Sequence, residues 1–573
     1  MQTPKTAWIV SPPSPKASIL AGEAGISLLQ ARLLLNRGIT TAEAATGFLS
    51  PSLSGLTHPG MFKDMGAAVD RVIWAARRGR PITVYGDYDA DGITSTALLV
   101  RFFKDLAVSV SSYIPDRFDE GYGLNRRAVQ AIAGSRRGLL VTVDCGTNDR
   151  EEVELAMSSG LEVVITDHHR ADENFQPLCP VLNPKRPDCT FPFRGLAGVG
   201  VAFFLAVAVR AALRKAGWFR FRGEPDLREY LDLVALGTVA DMVPLLDENR
   251  RLVTAGMKAM ATSTWPGLLA LQERAGIKPD RVSVEDVAFR LAPRINAAGR
   301  LGKARIGLET LLTSDPTEAR DLAERLQFMN DRRQELEKRV LGQIESELPD
   351  PAVPEGRRTL VIQGNGWHQG VLGIVASRIA ALHHRPVLVL DVRDGLASGS
   401  GRSIEGFDLH RALQRLEPLF TRFGGHRQAV GLSLETRHLD RLRDGLEAVA
   451  QEELTESDLH PVLHVEAELP PGLVTRDLID EIYCLGPFGS GNPEPRFLGT
   501  GLDVIESRVV GDRHLKLLVA DEGREMEAIG FGQAGRHPLA GSRIDAVYHP
   551  RINRWKGMES VQLNIQALDP ADE

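Results

Sequence analysis

The sequence predicts a multidomain α/β protein. A parallel, doubly wound sheet is joined by one long helix to a second α/β domain, and a C-terminal antiparallel β-barrel follows. Three observations predict it. From about residue 80, short apolar runs alternate with helical segments, the pattern of parallel strands buried on both faces. Further on, one apolar stripe at helical spacing persists for about 33 residues. After about residue 455, apolar and polar residues alternate one by one between turns, as half-buried antiparallel strands do.

In chain order, residues 1–75 read as an N-terminal extension packed on the core, Pro-rich at first, with a short helix around Ile26–Arg37 and a loop from Pro51 to Pro59. Residues 76–314 form the first domain. Ile82–Tyr85, Val108–Ile114, Leu139–Val143 and Val163–Thr166 are its strands, and Ile93–Leu106, Asn125–Ala133 and Arg150–Ser159 its helices. Residues 200–345 are mostly helical. Residues 315–348 make the connecting helix: Asp315 caps it, Pro316 takes its first position and Glu318 reaches back. Ala319, Leu322, Leu326, Met329, Leu336, Val340 and Ile344 then recur along roughly 50 Å at about 1.5 Å per residue. Pro349-Asp350-Pro351 stops it. It reads as a spacer, since Arg332 and Arg333 interrupt the stripe a coiled coil needs. Residues 352–452 form the second domain, with strands Leu360–Gln363, Val387–Leu390 and Leu396–Ser400 and a helix from Leu372 to Leu382. Residues 455–573 carry the barrel strands His514–Ala520, Glu525–Gly530, Arg543–Tyr548 and Ser560–Leu568. No internal repeat is evident.

Composition excludes several classes. The chain has 573 residues, 43% hydrophobic and 25% charged, so disulfide or metal staples are not needed to fold it. Four cysteines without a C-x-x-C pair exclude a disulfide scaffold and a zinc ribbon. The opening residues lack the apolar core of a signal peptide, and the longest apolar run, Val199–Val209, is too short to span a bilayer. A cytoplasmic, reducing location is the plain reading. A net charge of −7 gives no global basic signature of nucleic-acid binding. Of 68 basic residues only 12 are Lys; GC-rich codon usage accounts for such an excess as readily as phosphate binding does.

The chemistry gathers at strand ends. Tyr85-Gly86-Asp87-Tyr88-Asp89-Ala90-Asp91-Gly92 feeds three carboxylates at spacing two from a strand into a helix. Ligands of open parallel sheets bind beyond the carboxyl ends of the strands. Carboxylates clustered there repel unless a cation neutralises them, and hard oxygen ligands suit Mg²⁺ or Mn²⁺. A calcium loop beginning at Asp87 would need Glu at its twelfth position, which is Leu98. Asp144 follows the third strand and Asp167-His168-His169 the fourth. Singly, each is more often a cap or a structural histidine; together they converge on one edge, and imidazole shifts the preference towards Mn²⁺. Asp241, in Gly237-Thr238-Val239-Ala240-Asp241-Met242, has apolar neighbours that make a buried, paired or metal-bound carboxylate of it.

This order of motifs, D-x-D-G, Asp144, DHH and G-T-V-A-D-M, resembles the DHH phosphoesterase superfamily and, within it, the bacterial branch of single-strand-specific exonucleases. The resemblance spans roughly residues 60–570. It includes Leu291-Ala292-Pro293-Arg294-Ile295-Asn296-Ala297-Ala298-Gly299-Arg300, Ser400-Gly401-Arg402-Ser403 and Gly424-Gly425-His426. It implies that Asp91, Asp144, His168 and Asp241 hold one ion, Asp89 and Asp144 a second, Mn²⁺ or Mg²⁺. His169 would then orient a phosphate oxygen or the attacking water, with Asp89, Asp144 and His169 the catalytic set. Many relatives outside that branch carry His four residues before the first Asp. Here that position is Tyr85, so this metal site is expected to be weaker or to recruit Asp87.

The implied activity is metal-dependent 5′→3′ hydrolysis of single-stranded DNA to 5′-mononucleotides, in repair and recombination. No G-x-x-x-x-G-K-[ST] sequence points to a P-loop motor. Ser398-Gly399-Ser400-Gly401-Arg402-Ser403 offers glycine amides, hydroxyls and a guanidinium to a phosphate. By resemblance this segment, with Gly425 and His426, faces the metals, and Arg117, Ser400 and Arg402 make a 5′-phosphate pocket. Arg294 and Arg300 are further phosphate ligands or internal salt-bridge partners. The barrel resembles an OB-fold, a single-strand binder, with Arg551, Arg554, Trp555 and Lys556 as its basic patch. A helicase, a single-strand-binding protein and a monomeric chain complete the expectation. The alternatives are a DHH phosphodiesterase for short oligonucleotides or cyclic dinucleotides, which needs neither long helix nor barrel, and a non-catalytic replication scaffold, which needs no carboxylate cluster.

Overall fold

The computed structural model describes residues 6–571 apart from 136, 173, 348–355 and 556. The chain forms two compact units, one of Met1–Ile9 with Gln327–Leu463, the other of Val10–Leu326 with His464–Glu573.

The second unit holds a five-stranded parallel sheet in the order Val110–Tyr113, Ile82–Gly86, Leu139–Val143, Glu162–Thr166, Val181–Leu182. The central strands are apolar at nearly every position because both faces are covered. Tyr85, Leu140, Val163 and Ile165 pack with Val129, Ile132 and Val153 of the helices Arg126–Ser135 and Arg150–Ser158. Helix Ala90–Asp105 contacts the sheet too and is itself buried from Ala90 to Val100. Register decides what happens at the sheet's end. Gly86 stands opposite Val143, and Val143 opposite Thr166, so Asp87, Asp144 and Asp167 leave the sheet at one level.

In the same unit the strands Phe497–Val510, His514–Asp521, Arg524–Gly530, Met558–Pro570 and Arg543–Trp555 close on themselves through pairing of the last with the first. The barrel is antiparallel except for one parallel seam between Arg524–Gly530 and Met558–Pro570. The strand Phe497–Val510, absent from the sequence reading, completes it. Leu20, Leu33 and Leu34 of the N-terminal helices Lys16–Ala24 and Leu28–Asn36 share one buried cluster with Phe497, Leu517 and Tyr548 of the barrel. The expected basic patch is largely neutralised: Arg551 pairs with Glu285 at 2.7 Å and with Glu494, and Arg554 with Glu559 at 2.8 Å. Lys556 and the side chain of Trp555 lie outside the described residues.

The first unit contains a mixed sheet in the order Phe420–His426, Ala429–Glu435, Leu396–Arg402, Val387–Arg393, Leu360–Asn365, with helices Gln369–His383 and Leu439–Glu453. The connecting helix runs Pro316–Glu347, and the division between units falls within it; the expected end at Leu348 and the stop at Pro349–Pro351 lie outside the described residues. It is not a bare spacer. Val340 and Ile344 are buried against Leu360, Trp367 and Val371 of the first unit, which is where the stripe goes instead of into a coiled coil.

Candidate metal centre

Asp89 caps helix Ala90–Asp105, its Oδ1 accepting from the amides of Asp91 at 2.9 Å and Gly92 at 3.0 Å. Asp91, in the first turn, is buried. Its carboxylate accepts from the amides of Gly198 at 2.7 Å and Val199 at 2.9 Å, the first turn of helix Gly198–Lys215. A helix N-terminus favours a negative charge there. Asp144 follows its strand in the left-handed region, φ 61°, which turns the chain sharply off the sheet. Asp241 caps the C-terminal end of helix Leu231–Ala240.

These groups meet around His168. Its Nε2 lies 3.1 Å from Asp144 Oδ1, 3.6 Å from Asp241 Oδ2 and 3.9 Å from Asp91 Oδ2. Three sets bring ligand atoms within 4.8 Å of one another: Asp91 with His168 and Asp241; Asp87 with Asp89 and Asp144; Asp144 with His168 and His169. Among the described residues, Asp87 Oδ1, Asp144 Oδ1, Asp241 Oδ2 and His168 Nε2 are buried without a hydrogen-bond partner. Buried polar atoms are seldom left so, and carboxylate and imidazole atoms left bare together fit a divalent cation.

Electrostatics agree. Burial, then the neighbouring carboxylates, push Asp87 and Asp144 well above the usual carboxylate range and Asp91 up to about 7; Asp241 follows for the same reasons. So many buried negative charges need a cation to coexist. Burial also lowers His168 to about 3, keeping its imidazole neutral and able to ligate. His169 behaves oppositely. Burial opposes its charge, but the hydrogen bond from Nδ1 to Asp167 at 2.8 Å and that residue's charge prevail and raise it to about 9. Asp167 is held well below its ordinary range, despite burial, by His169 and His168.

The sequence-predicted Asp89, Asp91, Asp144, His168, His169 and Asp241 thus converge. Tyr85 points elsewhere: its hydroxyl donates to the carbonyl of Gly123 at 2.8 Å within the buried cluster beside helix Arg126–Ser135. Asp87, the expected substitute, stands with Asp89 and Asp144. Arg117 lies over the Tyr88 ring, 5.1 Å from its centroid. Helix Ala292–Arg300 abuts the acidic loop: the Asn296 side chain accepts from the Ala90 amide at 2.8 Å, and a β-carbon on Gly299 would stand 2.4 Å from the Tyr88 carbonyl oxygen. Arg300 ends that helix; Arg294 donates to the Arg290 carbonyl.

The remaining predicted residues belong to the first unit. Ser400 and Arg402 sit on Leu396–Arg402, in register through Gly431 and Ala429 with the Gly424–His426 end of the neighbouring strand. Here the expectation of a glycine cradle is corrected. That segment is a strand paired on both edges, so its amides are taken by the sheet. Its glycines serve close packing: a β-carbon on Gly399 would stand 2.0 Å from the Val389 carbonyl oxygen. The Ser403 hydroxyl donates to the Phe407 carbonyl at 2.9 Å. Gly425 has φ 141° and no room for a β-carbon against Ala429. Sequence reasoning passed over Asp167 as the holder of His169, Tyr122, whose hydroxyl lies 2.8 Å from His169 Nδ1, and Asn183, which donates to the His169 carbonyl at 2.8 Å. Only the two glycines flanking Tyr122 signalled a specially shaped loop.

Residues 81–238 match the DHH family, N-terminal domain, residues 356–452 the DHHA1 domain, and residues 465–567 the RecJ OB domain. The single-stranded-DNA-specific exonuclease RecJ of Bacillus subtilis (strain 168) is 36% identical over 99% of this chain and 71% of its own. That of Escherichia coli (strain K12) is 38% identical over 94% of this chain and 95% of its own. Among solved structures, RecJ from Thermus thermophilus in complex with Mn²⁺ matches with a TM-score of 0.84 and 31% identity, over 99% of this chain and 80% of that one. The same protein in complex with Mg²⁺ matches at 0.78.

Proposed function

The chain belongs to the RecJ family of single-stranded-DNA-specific exonucleases, and from that premise we propose that it removes 5′-mononucleotides stepwise from the 5′ end of single-stranded DNA. What carries the reading is Asp144, which stands with Asp87 and Asp89 in one set of ligand atoms and with His168 and His169 in another, while His168 stands in turn with Asp91 and Asp241. The protein is a metal-dependent exonuclease using Mn²⁺ or Mg²⁺. When bound, such a pair of ions stabilises charge on attacking and leaving oxygens and makes a nucleophile available near neutral pH.

The chain's own residues do the rest. Asp91, His168 and Asp241 would hold one ion and Asp87 and Asp89 the other, with Asp144 a ligand available to each. Asp167 fixes His169 with its proton on Nδ1, so Nε2 is the nitrogen that exchanges a proton with water or a phosphate oxygen. Arg117, over the Tyr88 ring, and Arg300, close enough to Tyr88 for its charge to act there, offset the negative charge a phosphodiester brings. Ser400 and Arg402, with Gly425 and His426, recognise the terminal phosphate, and Arg294 contributes through its helix. The family reading alone supports a monomer in the cytoplasm, working in repair and recombination beside a helicase that supplies single strands and a protein that coats them.

The test is a single strand of about 40 nucleotides with Mn²⁺, bearing a 5′-phosphate or a 5′-hydroxyl. Mononucleotides should appear progressively from the 5′ end. Release from the 3′ end, or cleavage of dinucleotides alone, would overturn the reading. Arg402→Ala should slow phosphorylated ends most; equal losses on both ends would remove Arg402 from phosphate recognition.

A further inference from the structure

Tyr122 belongs to none of the acidic or imidazole motifs, yet its hydroxyl reaches two of them. Gly121 and Gly123 flank it with φ of 80° and 86°, conformations that L side chains resist. The loop is pinned beneath it. Tyr85 donates to the Gly123 carbonyl, and the next amide, of Leu124, donates to Asp149 Oδ2 at 2.6 Å. A β-carbon on Gly123 would stand 2.7 Å from that same oxygen. So held, the Tyr122 hydroxyl lies 2.8 Å from His169 Nδ1 and 3.2 Å from the backbone oxygen of Asp144. The two rings meet edge to face with centroids 5.3 Å apart.

Donor counting assigns the protons. Asp167 Oδ1 is 2.8 Å from His169 Nδ1, and an ionised carboxylate only accepts, so Nδ1 carries hydrogen. The tyrosine oxygen therefore accepts a share of that hydrogen. Its own O–H points to the Asp144 carbonyl, which also only accepts. In this arrangement the imidazole is gripped from two directions, and one grip is anchored to the backbone of Asp144 itself.

We propose that the Tyr122 hydroxyl is a positioning group for His169, holding the ring's rotation and its spacing from Asp144 while touching no reacting atom. The inference deepens the proposed function, since it rests on the role given there to His169. Tyr122→Phe in the full chain keeps the ring and removes the hydroxyl. With Mn²⁺, kcat should fall about tenfold, the lower end for losing an outer-shell partner, while KM, the Mn²⁺ concentration for half-maximal rate and Tm stay unchanged. A double-mutant cycle adds a readout that general loosening would not move: in His169→Ala, the further change Tyr122→Phe should cost nothing. An unchanged kcat, additive losses, or a loss cured by excess Mn²⁺ would each overturn the proposal. A dinucleotide is assayed beside the long strand. If only the dinucleotide is cut, the exonuclease reading falls, and the same cycle on that substrate still decides the role of Tyr122.

Discussion

Asp144 occupies a left-handed conformation in which Asn is tolerated about as well as Asp, so Asp144→Asn removes charge with little backbone cost. Burial and crowding raise Asp87, Asp91, Asp144 and Asp241. Without metal, therefore, stability present at low pH is lost as pH rises through about 7 at Asp91. Metal binding needs the deprotonated forms and reverses the trend. Mn²⁺ should raise Tm over an EDTA control, the more so from pH 6 to 8, through a stabilisation of about 2.7 kcal/mol at a hundredfold excess over Kd. Asp144→Asn should abolish both this gain and turnover; an equal Mn²⁺ shift in the variant would remove Asp144 from the ligand set. Asp232 tests the same physics far from the metals. Burial pushes it up to about 6 although Ser263 and Leu233 donate to its carboxylate. Its stabilisation, present below about pH 4, is lost as pH rises through about 6, roughly 3 kcal/mol in all. Asp232→Asn should accordingly be more stable than the parent at pH 7 and no more stable at pH 4. Chemical unfolding at both values checks it, and identical pH profiles would refute it.

Helix Leu231–Ala240 approaches helix Ala90–Asp105 at Gly237, where a β-carbon would stand 2.2 Å from Thr94 Oγ1 and 2.9 Å from Asp91 Oδ1. That glycine lets the element carrying Asp241 reach the element carrying Asp91. Gly237→Ala should cost about 1–3 kcal/mol as overpacking and also weaken Mn²⁺ binding, because Asp91 must give way. A fallen Tm with unchanged Mn²⁺ affinity would show that the strain goes elsewhere. Elements were legible where their periodicity was strong. Leu139–Val143 emerges with its expected bounds and the long helix begins at the expected Pro316, each carrying an unambiguous repeat. The strands Phe420–His426 and Ala429–Glu435 escaped notice: the first carries little apolar alternation, and the second, where Val430, Leu432 and Leu434 do alternate, lies next to the glycine-rich segment read for its chemistry. Ser398–Arg402 misled for the same reason: glycines that fit a sheet and glycines that cradle an anion spell alike.

At the scale of the molecule, Arg250 joins three parts of the second unit. Buried, and with no carboxylate partner among the described residues, it donates to the carbonyls of Phe48 at 2.8 Å, Leu485 at 3.0 Å and Gly486 at 2.6 Å, with its guanidinium 3.7 Å from the Phe48 ring centroid. Arg250→Met would strand those three carbonyls, at about 1–3 kcal/mol for each one left buried without a partner. Residues 10–50 and the barrel should become cleavable by protease before the parallel-sheet domain does; simultaneous cleavage everywhere would deny Arg250 this linking role. A truncation at about residue 455 does not isolate the metal domain, since it uncovers Leu20, Leu33 and Leu34 from their shared core with the barrel. By itself the sequence determined the order of domains, the parallel sheet and six of the residues that meet at the candidate metal centre. Most of these residues are written locally, as a strand followed by its carboxylate or imidazole, which sheet register then aligns; Asp241 alone ends a helix. Only the tertiary structure decided that Tyr122 and Asp167 grip His169, that Tyr85 turns away to the Gly123 carbonyl, and that Arg250 ties distant segments together. Those are contacts between residues far apart in the chain, set by how the elements pack, and neither periodicity nor spacing records them.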